Sequence, residues 1–317
     1  MAADTTASLC VLAPEPLLSV EVEIDRLRDP QGESDAAEIH LHLGGQGLWM
    51  AQMARSLGTR VVVCGPFGGE SGLVAAHLAR EEGLELRPTS STGGGVRVQD
   101  RRQGGPEEIA TMPPRALDRH AVDDLYGTTL VTALDTGVAV LTGARHELAL
   151  PADFYARLTH DLAAGGVDVV ADLSGEAAAA FAEEQGAVLK ISHEEMVEGR
   201  LADDDSVEEL RRAAERIVSS GPRAVVVSRA DQPTLLVTAG RAYTVTTPPI
   251  TTVEHRGAGD SMTAGIAVGV ARGLDLPDAV GLGAAAGALN VTRHGLGTGR
   301  REQIEAFARR VTVAELD

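Results

Sequence analysis

Runs of apolar, often β-branched residues alternate with alanine-rich stretches along most of this 317-residue chain, and that alternation constrains the fold more than any other feature. A strand buried on both faces reads as a continuous apolar run, and parallel strands need a crossover between them, usually a helix. "SLCVLA" opens the series as a strand. "GLWMAQMARSLG" follows as a helix ending at Gly58, then the strand "RVVVCGPFG" and the helix "SGLVAAHLAREEG", stopped by Gly83. "GVAVLTG", "PADFYARLTHDLAAGG" with Pro151 at its start, and "VDVVADLSG" repeat strand, helix and strand. "AVLKIS", "VEELRRAAERIVSSG", "AVVVSRA" and "TLLVTAG" continue the series, and the chain from Asp260 to about Val311 is mostly helical. The pattern predicts an α/β fold, a parallel sheet with helices on both faces.

Two stretches break the rhythm. "LLSVEVEIDRLRDPQGESDAAEIHLHLGG" alternates with period two on either side of a polar turn, and "GGGVRVQDRRQGGPEEIATMPP" has the pattern of a short hairpin. Both are too polar for a buried parallel sheet and predict a small, separate antiparallel sheet, over about 18–43 and 93–113. The sequence shows no internal repeat and no linker long enough to divide it, so a single domain is expected.

The 28 basic and 46 acidic residues give a formal charge of −18, which argues against a nucleic-acid or anionic-membrane surface. An anionic substrate would need arginines concentrated locally. Cys10 and Cys64 offer neither a disulfide framework nor zinc-ligand spacing, and the N-terminus has no signal-peptide pattern, so a reducing cytoplasm is expected. No window is apolar for long enough to span a membrane. Lys190 is the only lysine among many arginines. Codon bias toward arginine is the plainer explanation, and a site needing a compact ammonium rather than a planar guanidinium is the other.

Two glycine-rich turns carry the chemistry. In "HLGGQGLWMAQ", Gly44, Gly45 and Gly47 let backbone approach a ligand at the start of a helix whose N–H groups point outward. The stretch is neither a P-loop nor a dinucleotide fingerprint. In "VEHRGAGDSMTAG", Gly257, Ala258 and Gly259 precede Asp260 at another helix start. Free N–H groups there can hold charge developing on a transferring phosphoryl group, and an acid at the rim can take a proton from an attacking hydroxyl. Alternatively, Asp260 caps the helix. "GDSM" also resembles the Gly-Asp-Ser-Leu block of an esterase family, with Ser261 as nucleophile. That family places the block after the first strand and needs a C-terminal Asp-x-x-His, and neither holds here.

Taken together, "GGQGLWMAQMARSLGTRVVVCGPFGGESG" and "TTVEHRGAGDSMTAG", with "LPADFYARL", "VVADLSGEA", "LKISHEEM" and "VTRHGLG" in order, resemble the ribokinase-type sugar kinases nearly end to end. The resemblance is to the 1-phosphofructokinase branch of the phosphofructokinase B family. It implies a ribokinase-like three-layer α/β/α core with a small antiparallel β lid, pairing two subunits into a dimer. The implied reaction is ATP- and Mg²⁺-dependent transfer of the γ-phosphoryl group to a hydroxyl of a sugar, phosphosugar or sugar-like molecule. By the same resemblance Asp260 is the catalytic base and Gly257, Ala258 and Gly259 are the anion hole. Glu195 organises Mg²⁺ and the phosphates through water, Lys190 handles the phosphates, and Ser192 and Ser228 belong to the nucleotide side. Arg97 reaches a phosphate already on the substrate. Ser19, Gly44, Gly45, Gln46, Gly47 and Trp49 fall on the acceptor side.

The departures from the family cluster at the acceptor. Ser19 stands where an acid is usual, Gln46 where a lysine is usual, and Trp49 where an asparagine is usual. Losing an acid, a cation and an amide changes both the charge and the shape of a pocket, so fructose 1-phosphate does not follow as the substrate. Trp49 reads as a ring stacked on the acceptor or as core filling. His40 and His42 share a strand face, as solvated lid residues rather than a metal pair. Ser192 replaces an asparagine, and "SRADQP" lacks the glycines of the usual nucleotide loop. Arg256 stands beside the anion hole, placed to clamp phosphate or to pair with Glu254. A non-catalytic sugar- or nucleotide-binding member of the same fold is the alternative reading.

Overall fold

A computed structural model of the chain describes residues 7–23, 37–102, 105–144, 150–253, 255–293 and 297–316. β1 (Ser8–Leu12) enters the main sheet, and β2 (Leu17–Glu23) and β3 (Glu38–Gly44) form a hairpin outside it. α1 (Gln46–Ser56), β4 (Arg60–Gly65), α2 (Gly69–Glu81) and β5 (Glu85–Pro88) return to the main body. β6 (Gly95–Asp100) and β7 (Glu107–Met112) make a second hairpin beside the first. α3 (Arg119–Thr136), β8 (Val138–Thr142), α4 (Ala152–Ala164), β9 (Asp168–Asp172), α5 (Gly175–Phe181) and β10 (Val188–Ser192) follow. After α6 (His193–Glu198) and α7 (Val207–Ser220) come β11 (Ala224–Arg229), β12 (Gln232–Thr238) and β13 (Arg241–Thr246). The chain closes with α8 (Ala258–Ala271), α9 (Leu276–Asn290), α10 (Arg301–Ala308) and β14 (Thr312–Leu316).

The main sheet has ten strands in the order β14-β13-β12-β11-β10-β9-β8-β1-β4-β5. Its apolar strands are buried on both sides, and alternate residues feed two cores. Leu9 and Val11 of β1 pack with α1, α2, α8, α9 and α10, whereas Cys10 and Leu12 pack with α3, α4, α5, α6 and α7. That arrangement is the three-layer α/β/α order. Cys10 and Cys64 lie on the second face, both free, with Sγ atoms 3.7 Å apart.

The parallel run ends at β11, because no helix separates "AVVVSRA" from "TLLVTAG". Only Ala230 and Asp231 link Arg229 to Gln232, so β12 must fold back antiparallel, and β13 and β14 continue that sense. Ala230 takes φ +50° in this loop, a left-handed conformation that side chains other than glycine seldom adopt.

The second sheet runs β3-β2-β6-β7. Its strands lie largely within the two stretches that break the rhythm, and most of the polar turn between β2 and β3 (24–36) lies outside the described residues. It is not antiparallel throughout. Each hairpin is antiparallel, but β2 pairs with β6 in parallel, because the two hairpins are separate excursions from the main sheet that meet along their leading strands. No helix of the described residues is long and apolar enough to cross a membrane.

Candidate active site

Parallel strands deliver side chains to their carboxyl ends, and ligands of open α/β sheets bind beyond that edge. Thr142 ends β8, Asp172 ends β9 in register with it, and Lys190 and Ser192 end β10. The N-terminus of α8 packs over this edge.

The opening of α8 is set by its own residues. Gly257 is the N-cap at φ +75°, a left-handed turn, and no side chain caps the helix. Asp260 therefore is not the cap. The N–H groups of the first turn have no partner within the helix, which leaves them available to an anion. Ser261 is fully buried, with no exposed surface from which to act as a nucleophile.

Lys190 lies directly beneath this turn. A Cβ built on Gly259 would come within 2.8 Å of its Nζ, so the backbone at 259 rests on the ammonium. The side chain is buried and paired with buried Asp172 at 3.2 Å. Asp172 also accepts a hydrogen bond from Thr263 Oγ1 of α8 at 2.8 Å. Burial alone would lower the lysine pKa, but the charges of Asp172, Glu195 and Asp260 outweigh it and hold the value above the ordinary one. The Lys190 side chain thus sits behind the Gly257–Gly259 turn. Asp172 was not singled out from the sequence. Its only signal there is an acid closing an otherwise apolar strand.

At the end of β10, Ser192 and Glu195 form a capping box on α6. Glu195 Oε2 accepts from Ser192 N and Oγ, both at 2.8 Å, and Ser192 Oγ accepts from Glu195 N at 3.1 Å. Helix capping alone thus accounts for a serine–glutamate pair at this spacing. The second carboxylate oxygen takes no part in the box. Ser228 is the β11 neighbour of Ser192 in register, and its carbonyl lies 3.3 Å from His193 Nδ1. No cluster of three His, Cys, Asp or Glu suited to a metal occurs among the described residues. Mg²⁺ in phosphoryl-transfer sites usually binds through one or two carboxylates, with water and substrate phosphates completing the shell. The Glu195 oxygen outside the capping box fits that demand.

Beside the glycine turn that opens α1 lies a recess lined by Glu15, Leu17, Gly45, Gln46, Gly47, Trp49, Arg97, Thr142 and Gly143. Gly45, Gln46, Gly47, Trp49 and Arg97 are brought together here. Ser19 and Gly44 are not. They pack against each other in the β2–β3 hairpin, and Ser19 is buried. Glu15, before β2, is among the residues that line the recess. Gly45, at φ +96°, lies so close to the carbonyl of Glu15 that a side chain there would displace it. The glycine turn is thus packed against the chain's own loop, a role that the expectation of ligand approach did not include.

The remaining departures are also resolved in space. Trp49 is 5% exposed, and its indole N–H donates to the Leu43 carbonyl at 3.0 Å, which fixes the ring as a wall of the recess. Arg97 faces Glu108 across the β6–β7 hairpin at 3.6 Å. Arg256 Nη1 donates to Gln99 Oε1 of β6 at 3.2 Å, tying the second sheet to the residue before Gly257; Glu254 lies outside the described residues. Asn290 Nδ2 holds the Arg256 carbonyl from below at 3.0 Å. The rings of His40 and His42 stack with centroids 6.0 Å apart, and His40 lies 3.4 Å from Glu38.

The pfkB family carbohydrate kinase model matches residues 19–303, and the chain belongs to that family. It is 29% identical over 256 residues to the 1-phosphofructokinase of Bacillus subtilis, covering 80% of this chain and 83% of that one. It is 26% identical over 307 residues to the ATP-dependent 6-phosphofructokinase isozyme 2 of Mycobacterium tuberculosis, covering 94% and 88%. The crystal structure of phosphofructokinase-2 from Escherichia coli in complex with potassium superposes with a TM-score of 0.82 at 21% identity, over 96% of this chain and 98% of that one. The chain is a carbohydrate kinase, with ATP the co-substrate that the family implies.

Proposed function

We propose that the chain transfers the γ-phosphoryl group of ATP to a hydroxyl of a sugar, phosphosugar or sugar-like molecule bound in the recess, with Asp260 as the base. The observation that carries this reading is the placement of Asp260 in the first turn of α8, after the Gly257 N-cap, with its charge acting on buried Lys190. Asp260 takes the proton of the acceptor hydroxyl as its oxygen attacks phosphorus. The bond to the β,γ-bridging oxygen breaks, and ADP leaves. The N–H groups of the Gly257–Gly259 turn, backed by the Lys190 ammonium, stabilise charge on the transferring group's oxygens. Mg²⁺ would supply further neutralisation of phosphate charge, held through the Glu195 oxygen outside the capping box. Ser192 and Ser228 flank the nucleotide.

The segments 18–43 and 93–113 act as the lid of a single kinase domain. The lid face carrying Arg97 turns to the recess. The opposite face exposes Ile39, Leu41 and Met112, and supports pairing with a second copy of the chain. The two free thiols suit a cytoplasmic enzyme. An ATP-consumption screen over sugars, phosphosugars and nucleosides, with ATP binding measured in parallel, tests the reading. Acceptor-dependent ADP formation is expected; ATP binding without any acceptor would mark a binding protein, and no ATP binding would end the kinase reading.

A further inference from the structure

The turn that opens α8 is held by two different parts of the molecule. Its N-cap, Gly257, takes a left-handed φ of +75° and no side chain caps the helix, so the residues around it fix its position. From the main body comes Asn290, at the end of α9, which is 1% exposed and uses both ends of its amide. Its Nδ2 donates to the Arg256 carbonyl and its Oδ1 accepts from Gly297 N, both at 3.0 Å. Gly297 in turn rests on the Trp49 backbone, where a side chain would collide with the Trp49 carbonyl. One buried amide thus holds the carbonyl before Gly257 and a segment packed on the wall of the recess. From the second sheet comes Gln99, a buried residue of β6 that lies 157 positions before Arg256. Its Oε1 accepts from Arg256 Nη1 at 3.2 Å. Arg97, two positions before Gln99 and on the same face of β6, lines the recess.

Residue 256 is therefore where three parts of the molecule meet. Its carbonyl is held by the main body, its guanidinium by the second sheet, and its peptide bond leads into Gly257. Two bonds at one residue, made to separate parts of the fold, limit how far the backbone before the turn can move. Losing the bond to Gln99 removes the restraint that the second sheet places on it. Phosphoryl transfer depends on positioning, and a misplacement of about 1 Å costs about 10²-fold. We infer that Arg256 is a positioning residue, which through Gln99 ties the geometry of the Gly257–Gly259 turn to the placement of the second sheet. It acts on the backbone of the turn and not on phosphate. The inference rests on that turn being the phosphate-binding element of the proposed kinase.

The first arm of the test needs no substrate. Ser261 N–H donates to the Gly257 carbonyl at 2.9 Å, so its hydrogen exchange in the full chain reports opening of the turn. Gln99→Met removes the acceptor on the second sheet, and exchange at Ser261 should quicken at least about threefold, the scale of one lost hydrogen bond. Arg256→Met breaks the same bond from a half-buried position, should do the same, and stands in if Gln99→Met does not fold. Gln99→Glu keeps an acceptor for the guanidinium and should exchange as the parent does. The second arm is ADP formation from ATP with D-fructose, D-fructose 1-phosphate or D-fructose 6-phosphate. Both methionine variants should lose kcat at least about tenfold with KM for ATP changed by less than about twofold, and Gln99→Glu should restore kcat. Unchanged Ser261 exchange, or an unchanged kcat, in both methionine variants overturns the inference. So does a raised KM for ATP in Arg256→Met that Gln99→Met does not share, because that is the signature of a guanidinium clamping phosphate. If none of the three sugars yields ADP, the result counts against the kinase reading alone, and the exchange rates decide this inference by themselves.

Discussion

Lys190 and Asp172 form a buried ion pair at 3.2 Å directly beneath the Gly257–Gly259 turn, joining the ends of β9 and β10 to the first turn of α8 through Thr263. The pair supports the turn mechanically, and its ammonium supplies the positive charge behind it. Neither partner is reachable by water to any useful extent, so neither is replaceable alone.

Asp172→Ala should therefore destabilise the protein by about 3–5 kcal/mol, the scale for leaving a buried partner charge uncompensated. Urea unfolding measures it. The double variant Lys190→Met/Asp172→Leu should recover much of that loss, because an apolar pair of similar volume removes both desolvation penalties. A single variant as stable as the parent would show that the pair is solvated.

The same pair gives stability a pH dependence on the alkaline side. Burial opposes the Lys190 charge, but Asp172, Glu195 and Asp260 raise its pKa above the ordinary value. A group whose pKa is raised on folding adds stability below its unfolded pKa, and that increment fades as pH rises through the folded value. Unfolding free energy should fall more steeply from about pH 10 upward in the parent than in Lys190→Met/Asp172→Leu. Because Lys190 is the only lysine, the difference between the two curves reports this group. Parallel curves would contradict the assignment.

The legibility of these features in the sequence followed their range. The alternation of buried strands and helices is local, and it located most of the main sheet and both excursions. Where a local signal was missing, the reading stopped short: the antiparallel turn at Ala230–Asp231 lies inside two apolar runs that look like parallel strands. The candidate base Asp260 was visible because the glycine turn before it is contiguous. The support beneath it was not, since Thr263 and Asp172 are 91 residues apart. Glu15 shows the same limit at the acceptor. It lies four positions before Ser19, where an acid is usual, and it joins the recess lining on a loop packed against Gly45.

Gly259→Ala tests the contact between turn and lysine. The new methyl would come within 2.8 Å of Lys190 Nζ, and the ammonium, confined by Asp172, has little room to withdraw. A loss of about 1–3 kcal/mol is expected, as for other overpacked interiors. Turnover should drop further than stability alone explains, because the turn itself must shift. A thermal melt and a single-turnover assay separate the two. An active variant of unchanged stability would place Lys190 elsewhere.

Asp260→Asn separates catalysis from architecture at the same helix. Because Gly257 caps α8, the amide should keep the fold, at a cost of about 1 kcal/mol for removing a negative charge that offsets the burial of Lys190. ATP should bind as before, since the N–H groups of the turn and Lys190 are untouched. Turnover should nevertheless fall by about 10²–10⁴-fold, the scale of general-base removal, because an amide cannot take the proton of the acceptor hydroxyl. The pH profile carries the sharper evidence. In the parent, kcat/KM should fall toward acid pH as the base is protonated, whereas the residual rate of the variant should lose that limb. A variant that keeps both the rate and the acid limb would assign the proton to another group.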